Sequence, residues 1–310
     1  MDLCVAVDNN PNRPYHQRSM FWCSKIRLTA RGALRFLSAV LLFVSFASAQ
    51  AVQAEKIAQG SETAKNGFKN EDEIAAKFNN WKTDTDAQAW LTEMGYKAAN
   101  VETLVATKPH GEKSDVEVRI KFKDQHGLSQ NRKDTKQIEK VEGISIKLVS
   151  NVNGFNQIDK RWLSHYARMW KMPSDVEQIL KQFVGETLPA KPGRAANRIF
   201  LNELDVTAQR AVTSFFETHK HEIVSDLFQG DGPHAAGWVM VAFKAMPKTR
   251  WTLRRVEDVV RFYSEGPVKI TSGGNLKIGC VTMQRKGGDG GRDTAKMLQF
   301  KINPALLLNN

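Results

Sequence analysis

Cysteine is scarce in this chain. Its 310 residues hold three, Cys4, Cys23 and Cys280, too few for a disulfide framework, and no C-x-x-C spacing offers a thiolate zinc site. Acidic charge is also in deficit: 33 Asp and Glu stand against 45 Lys and Arg, leaving a formal net charge of +12. No unbroken, strongly apolar run reaches the ~20 residues of a spanning helix, and no internal repeat marks a solenoid. What is present is ordinary for a globular protein: 41% hydrophobic and 25% charged residues, with enough length for one large domain or two small ones around a sizeable core. The basic balance calls for a polyanionic partner, nucleic acid or an anionic surface.

The positive excess is concentrated. Residues 1–54 carry six basic and two acidic side chains, residues 244–301 thirteen and five, and residues 55–243 carry 26 of each. In the first segment Lys25, Arg27, Arg31 and Arg35 precede an uncharged stretch from Phe36 to Ala54 that contains Leu41-Leu42-Phe43-Val44. Ala47-Ser48-Ala49 and Val52-Gln53-Ala54 follow, so the order is that of a secretory signal: basic, apolar, then a small-residue site. Two readings stay open, an exported protein or an over-extended reading frame whose native start lies near Val52. Residues 1–54 are set aside as a leader, and 55–310 are expected to form a single domain with a basic part at about 244–302.

Periodicity supplies the elements. Ile74, Phe78 and Trp81 recur at helical spacing over 70–81, with Asn70 as the expected N-cap; Asp84 to Met94 reads as a second helix. Val116, Val118, Ile120 and Phe122 alternate with charged residues, a half-buried strand; Ile144, Ile146 and Leu148 alternate likewise, after a polar loop from Asp124 to Glu142. Helices are expected at 158–170, 174–184, 206–228 and 253–263. Strands are expected at 238–243, at 268–271 and 276–284 as a hairpin over Ser272-Gly273-Gly274-Asn275, and at 297–302. Trp162, Tyr166 and Trp170 lie at helical spacing and read as core, and the His219/His221 pair as surface. Helices and strands without strict alternation indicate an α/β or mixed α+β fold with a central mixed β-sheet flanked by helices.

Asp115 opens the first strong strand, and Ser145 and Lys147 share the polar face of the next. If the strands pair, an acid and an amine converge on one side of a sheet, which suits metal-assisted phosphodiester hydrolysis: the carboxylate holds a hard cation, and the ammonium orients water and offsets developing charge. An Asp at a strand start and a Lys on a strand face are also ordinary surface residues, so this pair alone is a weak signal.

Longer blocks carry more. Lys113-Ser114-Asp115, then Ile146-Lys147-Leu148-Val149-Ser150-Asn151, then Gly154-Phe155-Asn156-Gln157-Ile158-Asp159-Lys160 resemble the type II restriction endonucleases of the PD-(D/E)xK superfamily, specifically the HinP-type enzymes that cut GCGC. The resemblance runs in order from Ser61–Glu71 through Val281–Asp289 and Met297–Ile302, nearly all of 59–305. It implies a PD-(D/E)xK core, Mg²⁺ dependence, Asp115 as the metal-binding carboxylate and Lys147 as the catalytic lysine. The position two before the lysine, an acid in most of the superfamily and Gln in this subgroup, is Ser145 here, which implies weaker metal binding unless Glu117, Glu142 or Glu71 compensates. Glu71 matches a family acid and is a candidate for a second metal position; an acid favoured by a helix N-terminus is the competing reading.

The basic C-terminal part then acquires an expected role. Guanine O6 and N7 accept from Arg and Lys, and cytosine N4 donates to Asp or Glu. Gln284, Arg285, Lys286, Asp289 and Arg292 are the candidates for base contact, with Gln157 and Lys160 beside them. The implied partner is double-stranded DNA cut at unmethylated GCGC after the first G, leaving 5′ extensions, with a cognate cytosine methyltransferase protecting the host and no membrane. Such an enzyme acts in the cytoplasm, as a monomer or a homodimer. A DNA-binding relative weakened by Ser145 and an exported non-specific nuclease are the alternatives.

Overall fold

A computed structural model describes residues 65–109, 112–123, 138–191, 193–244, 249–288 and 292–308. The chain divides into two units, residues 1–52 and 53–310, and the first lies wholly outside the described residues. The signal-like segment and most of the 124–142 loop therefore also lie outside them.

Two helices come first, α1 (65–79) and α2 (Thr85–Glu93). Asp84 caps α2, its side chain accepting from Ala87 N–H at 2.9 Å. Asn70 does not cap α1. The helix already runs from 65, and Asn70 sits inside it, 1% exposed, its amide without a hydrogen-bond partner. Gly67 costs an interior helix only about 1 kcal/mol, so the apolar face beyond it carries the helix past the expected cap.

The main sheet follows. β1 (Val101–Thr107), β2 (Val116–Phe122) and β3 (Glu139–Val149) form an antiparallel meander, and β5 (Trp238–Phe243) adds parallel to β3. β6 (Arg250–Arg255) closes the sheet antiparallel to β5, in the order β1-β2-β3-β5-β6. β5 is buried at all six positions, as its run Trp-Val-Met-Val-Ala-Phe requires of a strand covered on both faces. One face packs α1 and α2 through Ile74, Phe78, Trp90 and Leu91 onto Val116, Val118, Ile120, Ile144, Ile146 and Met240. The other contributes Val149, Val239, Val241 and Phe243 to a larger core.

That larger core contains α3 (Leu163–Met169), α4 (Ser174–Val184), α5 (Val206–Thr218), α6 (Lys220–Phe228) and α7 (Val256–Ser264). Beyond them lies a second, wholly antiparallel sheet of β4 (Asn156–Arg161), β7 (Val268–Ile270), β8 (Leu276–Ile278), β9 (Val281–Arg285) and β10 (Leu298–Ile302), ordered β4-β10-β9-β8-β7. Leu276, Ile278, Val281, Met283, Leu298, Phe300 and Ile302 face the helices, and Tyr166 and Trp170 stack at 4.7 Å beside Phe300. Burying aromatic rings of this size contributes several kcal/mol each and ties the second sheet to the helical layer.

The fold is thus mixed α+β with a mixed five-stranded sheet flanked by helices, as expected, but with a second sheet in addition. Residues 158–170 are strand then helix. The 206–228 helix breaks at His219, which pairs with Glu222 at 3.2 Å, and 253–263 begins as the end of β6. The expected strand 276–284 is two strands, turned at Gly279 (φ +56°), where a Cβ would meet Tyr263 O at 2.5 Å. Among the described residues no helix is long and apolar enough to cross a membrane.

Candidate active site and nucleic-acid interface

The β2–β3 register sets Val116 opposite Ile144 and Glu117 opposite Gly143. Asp115 extends this ladder, its N–H donating to Ile144 O at 2.9 Å, and so stands across from Ser145 with Lys147 two residues further along the same face. The Asp115 carboxylate takes the place of a ladder carbonyl: Oδ2 accepts from Ile146 N–H at 2.6 Å. Lys147 Nζ donates to Ser145 Oγ at 2.9 Å and to Ile146 O at 3.1 Å, and lies 3.6 Å from Asp115 Oδ2. Ser145 Oγ in turn donates to Asp115 Oδ2 at 3.4 Å. The Ser145 hydroxyl therefore bridges the lysine and the aspartate. The Lys147 side chain is 13% exposed and that of Asp115 26%, sheltered yet open to a ligand.

Glu71 lies midway along α1, not at a helix N-terminus as expected, and faces the same end of the sheet. Its carboxyl is held above the usual carboxylate range by burial and by the charge of Asp115, against the lowering influence of Lys108 and Lys147. Lys108, just past β1, lies 3.2 Å from Glu71 and 2.7 Å from Asp72. The charge of Asp115 is felt at Glu71, so the two carboxylates belong to the same end of the sheet, where a hard cation would find oxygen donors. Among the described residues no three His, Cys, Asp or Glu side chains cluster tightly enough to cage an ion unaided. Mg²⁺ is commonly held by one or two carboxylates, with water and phosphate oxygens completing the shell, so Asp115 and Glu71 fit it as a pair.

The other carboxylates are engaged elsewhere. Glu117 Oε1 lies 2.6 Å from His234 Nδ1 and holds that imidazole above its ordinary pKa. Glu142 accepts from the Tyr96 hydroxyl and from Trp238 Nε1, the latter at 2.8 Å. Sequence reasoning missed the support beneath Asp115. Ser114 is 1% exposed and bonds His234 O and Ala235 O at 2.9 and 3.2 Å. The Lys113 ammonium pairs with buried Asp159 and donates to Leu227 O at 2.8 Å, while burial pulls its pKa down. The signal available was the unbroken Lys-Ser-Asp block, whose first two residues tie the loop before β2 to the helical layer and to β4.

Three of the DNA-contact candidates, Gln157, Lys160 and Gln284, gather on the outer face of the second sheet. Gln284 stands opposite Gln299, and the β4–β10 pairing sets Lys160 opposite Gln299 and Gln157 opposite Lys301. A register shift between Phe300 and Lys301 brings both Gln157 and Lys160 onto this face despite their odd spacing. Lys277 and Lys301 occupy the same face by alternation. Arg285 does not. It pairs across from inward-pointing Leu298, its Nε is buried without a hydrogen-bond partner, and desolvation lowers its pKa. Lys286 follows β9, bonded through its backbone N–H to Met297 O at 2.8 Å; Arg292 is exposed before the 3-10 turn Asp293–Lys296; Asp289 lies outside the described residues.

Comparison with known proteins gives two results. The sequence model of the R.HinP1I restriction endonuclease family matches residues 94–308. Among solved structures, that of restriction endonuclease MspI in complex with its cognate DNA is similar at 11% identity, with a TM-score of 0.48 over 74% of this chain and 83% of that one. No curated protein matches the chain.

Proposed function

The chain belongs to the R.HinP1I restriction endonuclease family, and from that premise we propose that it hydrolyses one phosphodiester bond per strand at unmethylated GCGC, after the first G, with Mg²⁺ as cofactor. That it is a type II site-specific deoxyribonuclease follows from membership; the metal, the sequence and the cut are the reading argued here.

The observation that carries this reading is the Asp115–Ser145–Lys147 triangle with Glu71 opposite, at one end of the sheet. Asp115 and Glu71 would hold the ion, which when bound supplies Lewis-acid polarisation of the phosphate and a more acidic water. Asp115 keeps one carboxylate oxygen for that task because Ile146 N–H, Ser145 and Lys147 all converge on the other. Lys147, held by Ser145 and by the Ile146 carbonyl, presents its remaining N–H to the attacking water or to the phosphate oxygens as charge builds in the transition state. Glu117, bonded to His234, stands outside the ion pair and steadies the loop before β5. The sheltered corner strengthens each of these interactions over its value in water.

On the DNA side, Gln157, Lys160 and Gln284 are the base and phosphate contacts from the outer face, with Lys286, Asp289 and Arg292 on the loop beyond β9. The enzyme acts in the cytoplasm, where a cognate cytosine methyltransferase protects host sites. The test is digestion of unmethylated DNA of known sequence with Mg²⁺ or with EDTA, followed by end mapping. Discrete fragments ending at G/CGC, and none in EDTA, are expected. A smear would establish a non-specific nuclease, and retarded but uncut DNA a relative that only binds.

A further inference from the structure

Three glutamines form a continuous hydrogen-bonded row across β4, β10 and β9. Gln299 Nε2 donates to Gln157 Oε1 at 2.6 Å, and Gln284 Nε2 donates to Gln299 Oε1 at 3.3 Å. Gln299 is 7% exposed although it lies on the outer face, because its two neighbours cover it. Gln157 is exposed and Gln284 half-buried, so the ends of the row are open while its centre is closed.

The row has a direction. A primary amide has two ends of nearly equal size and opposite hydrogen-bonding sense, and an unconstrained Gln presents either one. Here the central amide spends its N–H on one neighbour and its carbonyl on the other. Gln157, with its oxygen occupied, is left presenting N–H donors. Gln284, with one N–H occupied, is left presenting its carbonyl oxygen beside its second N–H. In the major groove guanine offers the acceptors O6 and N7, and cytosine offers the N4 amine as donor. The donor end therefore suits guanine and the acceptor end suits cytosine.

We propose that Gln299 is a positioning residue that locks the amide orientation of Gln157 and Gln284, so that Gln157 donates to guanine and Gln284 accepts from cytosine N4. This rests on the reading that the outer face of the second sheet meets a G·C-only site. Gln299 touches no base; it couples the two side chains that do, so that neither outer amide can turn alone without breaking the row. Without it each outer amide turns freely, and the cognate contact loses both its orientational advantage and its discrimination against A·T.

The experiment compares kcat/KM on a cognate duplex with that on duplexes carrying single A·T replacements or 7-deazaguanine, for wild type, Gln157→Ala, Gln284→Ala, Gln299→Leu, Gln299→Glu and the double variant Gln157→Ala/Gln299→Leu. Gln157→Ala and Gln284→Ala should each cut the cognate preference about 10- to 100-fold. Gln299→Leu should do the same with the salt dependence of binding unchanged, and the double variant should be little worse than Gln157→Ala alone. Gln299→Glu keeps the acceptor for Gln284 but offers no donor to Gln157, so it should lose sensitivity to 7-deazaguanine while still rejecting changes at cytosine. Thermal melts confirm that each variant is folded. Wild-type preference in Gln299→Leu, with Gln157→Ala and Gln284→Ala impaired, overturns the positioning role and leaves the DNA-facing reading standing. Unaltered preference in Gln157→Ala and Gln284→Ala overturns both.

Discussion

At the scale of single residues, the proposed chemistry hangs on how Ser145 is used. A hydroxyl is a poor ligand for a hard cation, but between Lys147 and Asp115 it acts as acceptor for one and donor to the other. Asp115→Ala and Lys147→Ala should each abolish cleavage while duplex binding persists in a mobility-shift assay; cutting at the wild-type rate by either would remove it from the site. Ser145→Ala frees the ammonium without deleting it, and about a fivefold fall in kcat at unchanged KM is expected in steady-state kinetics, the worth of one hydrogen bond at ~1 kcal/mol. His234 makes a pH prediction. Glu117 raises its pKa in the folded chain above the ordinary 6.5, so the pair's stabilisation is complete below about pH 6.5 and is lost as pH rises through the raised value. His234→Gln should lower the melting temperature near pH 6 and converge with wild type at alkaline pH. A gap that widens with pH would show that the pairing is not what holds the imidazole.

At the scale of elements, the site depends on strand register. Gly143 lies opposite Glu117 where β3 passes beneath the loop before β2, and a Cβ there would fall 2.2 Å from Ser114 Oγ and 2.4 Å from Ala235 O. Neither neighbour is a flexible chain end, so Gly143→Ala should cost about 1–3 kcal/mol in denaturant unfolding and slow cleavage by shifting Asp115. The alternation of 116–122 and 144–148 was legible and placed Asp115, Ser145 and Lys147 together. β1 was not foreseen, and β4 was merged into a helix, because Gln157-Ile158-Asp159-Lys160 lacks the apolar alternation of a strand. It pairs by backbone with β10 and buries Asp159 inward, bonded to Lys113, Arg161 and Tyr166. A buried acid with three partners defeats any reading of periodicity that counts polar residues as outward.

At the scale of the molecule, charge that is contiguous in sequence is divided in space. Of the described basic residues at 244–301, Lys244 lies just past β5, Arg250, Arg254 and Arg255 on edge strand β6 and Arg261 on α7, while Lys269, Lys277, Arg285 and Lys301 lie on the second sheet. The two halves should therefore contribute unequally to DNA binding. Lys277→Gln with Lys301→Gln should reduce the slope of log K against log salt by about 2, near 0.9 per lost phosphate contact, whereas Arg250→Gln with Arg261→Gln should leave it unchanged in fluorescence anisotropy titrations. Equal effects would mean that the duplex spans both sheets.

The sequence by itself determined the chain's class, the paired strands β2 and β3 and the proposed catalytic pair that they carry. Period-2 alternation beside ordered, unusual blocks survives in one dimension: Lys113-Ser114-Asp115 and Ile146-Lys147 are local strings whose strands pair as neighbours. Only the tertiary structure decided which side chains face which way. A one-residue register shift at β4 carried Lys160 to the side of Gln157, strand alternation turned Arg285 inward away from Gln284, and Glu71 came to feel the charge of Asp115 because α1 packs at that end of the sheet. Facing is set by pairing partners far away in sequence, and one residue of shift moves a side chain to the opposite face.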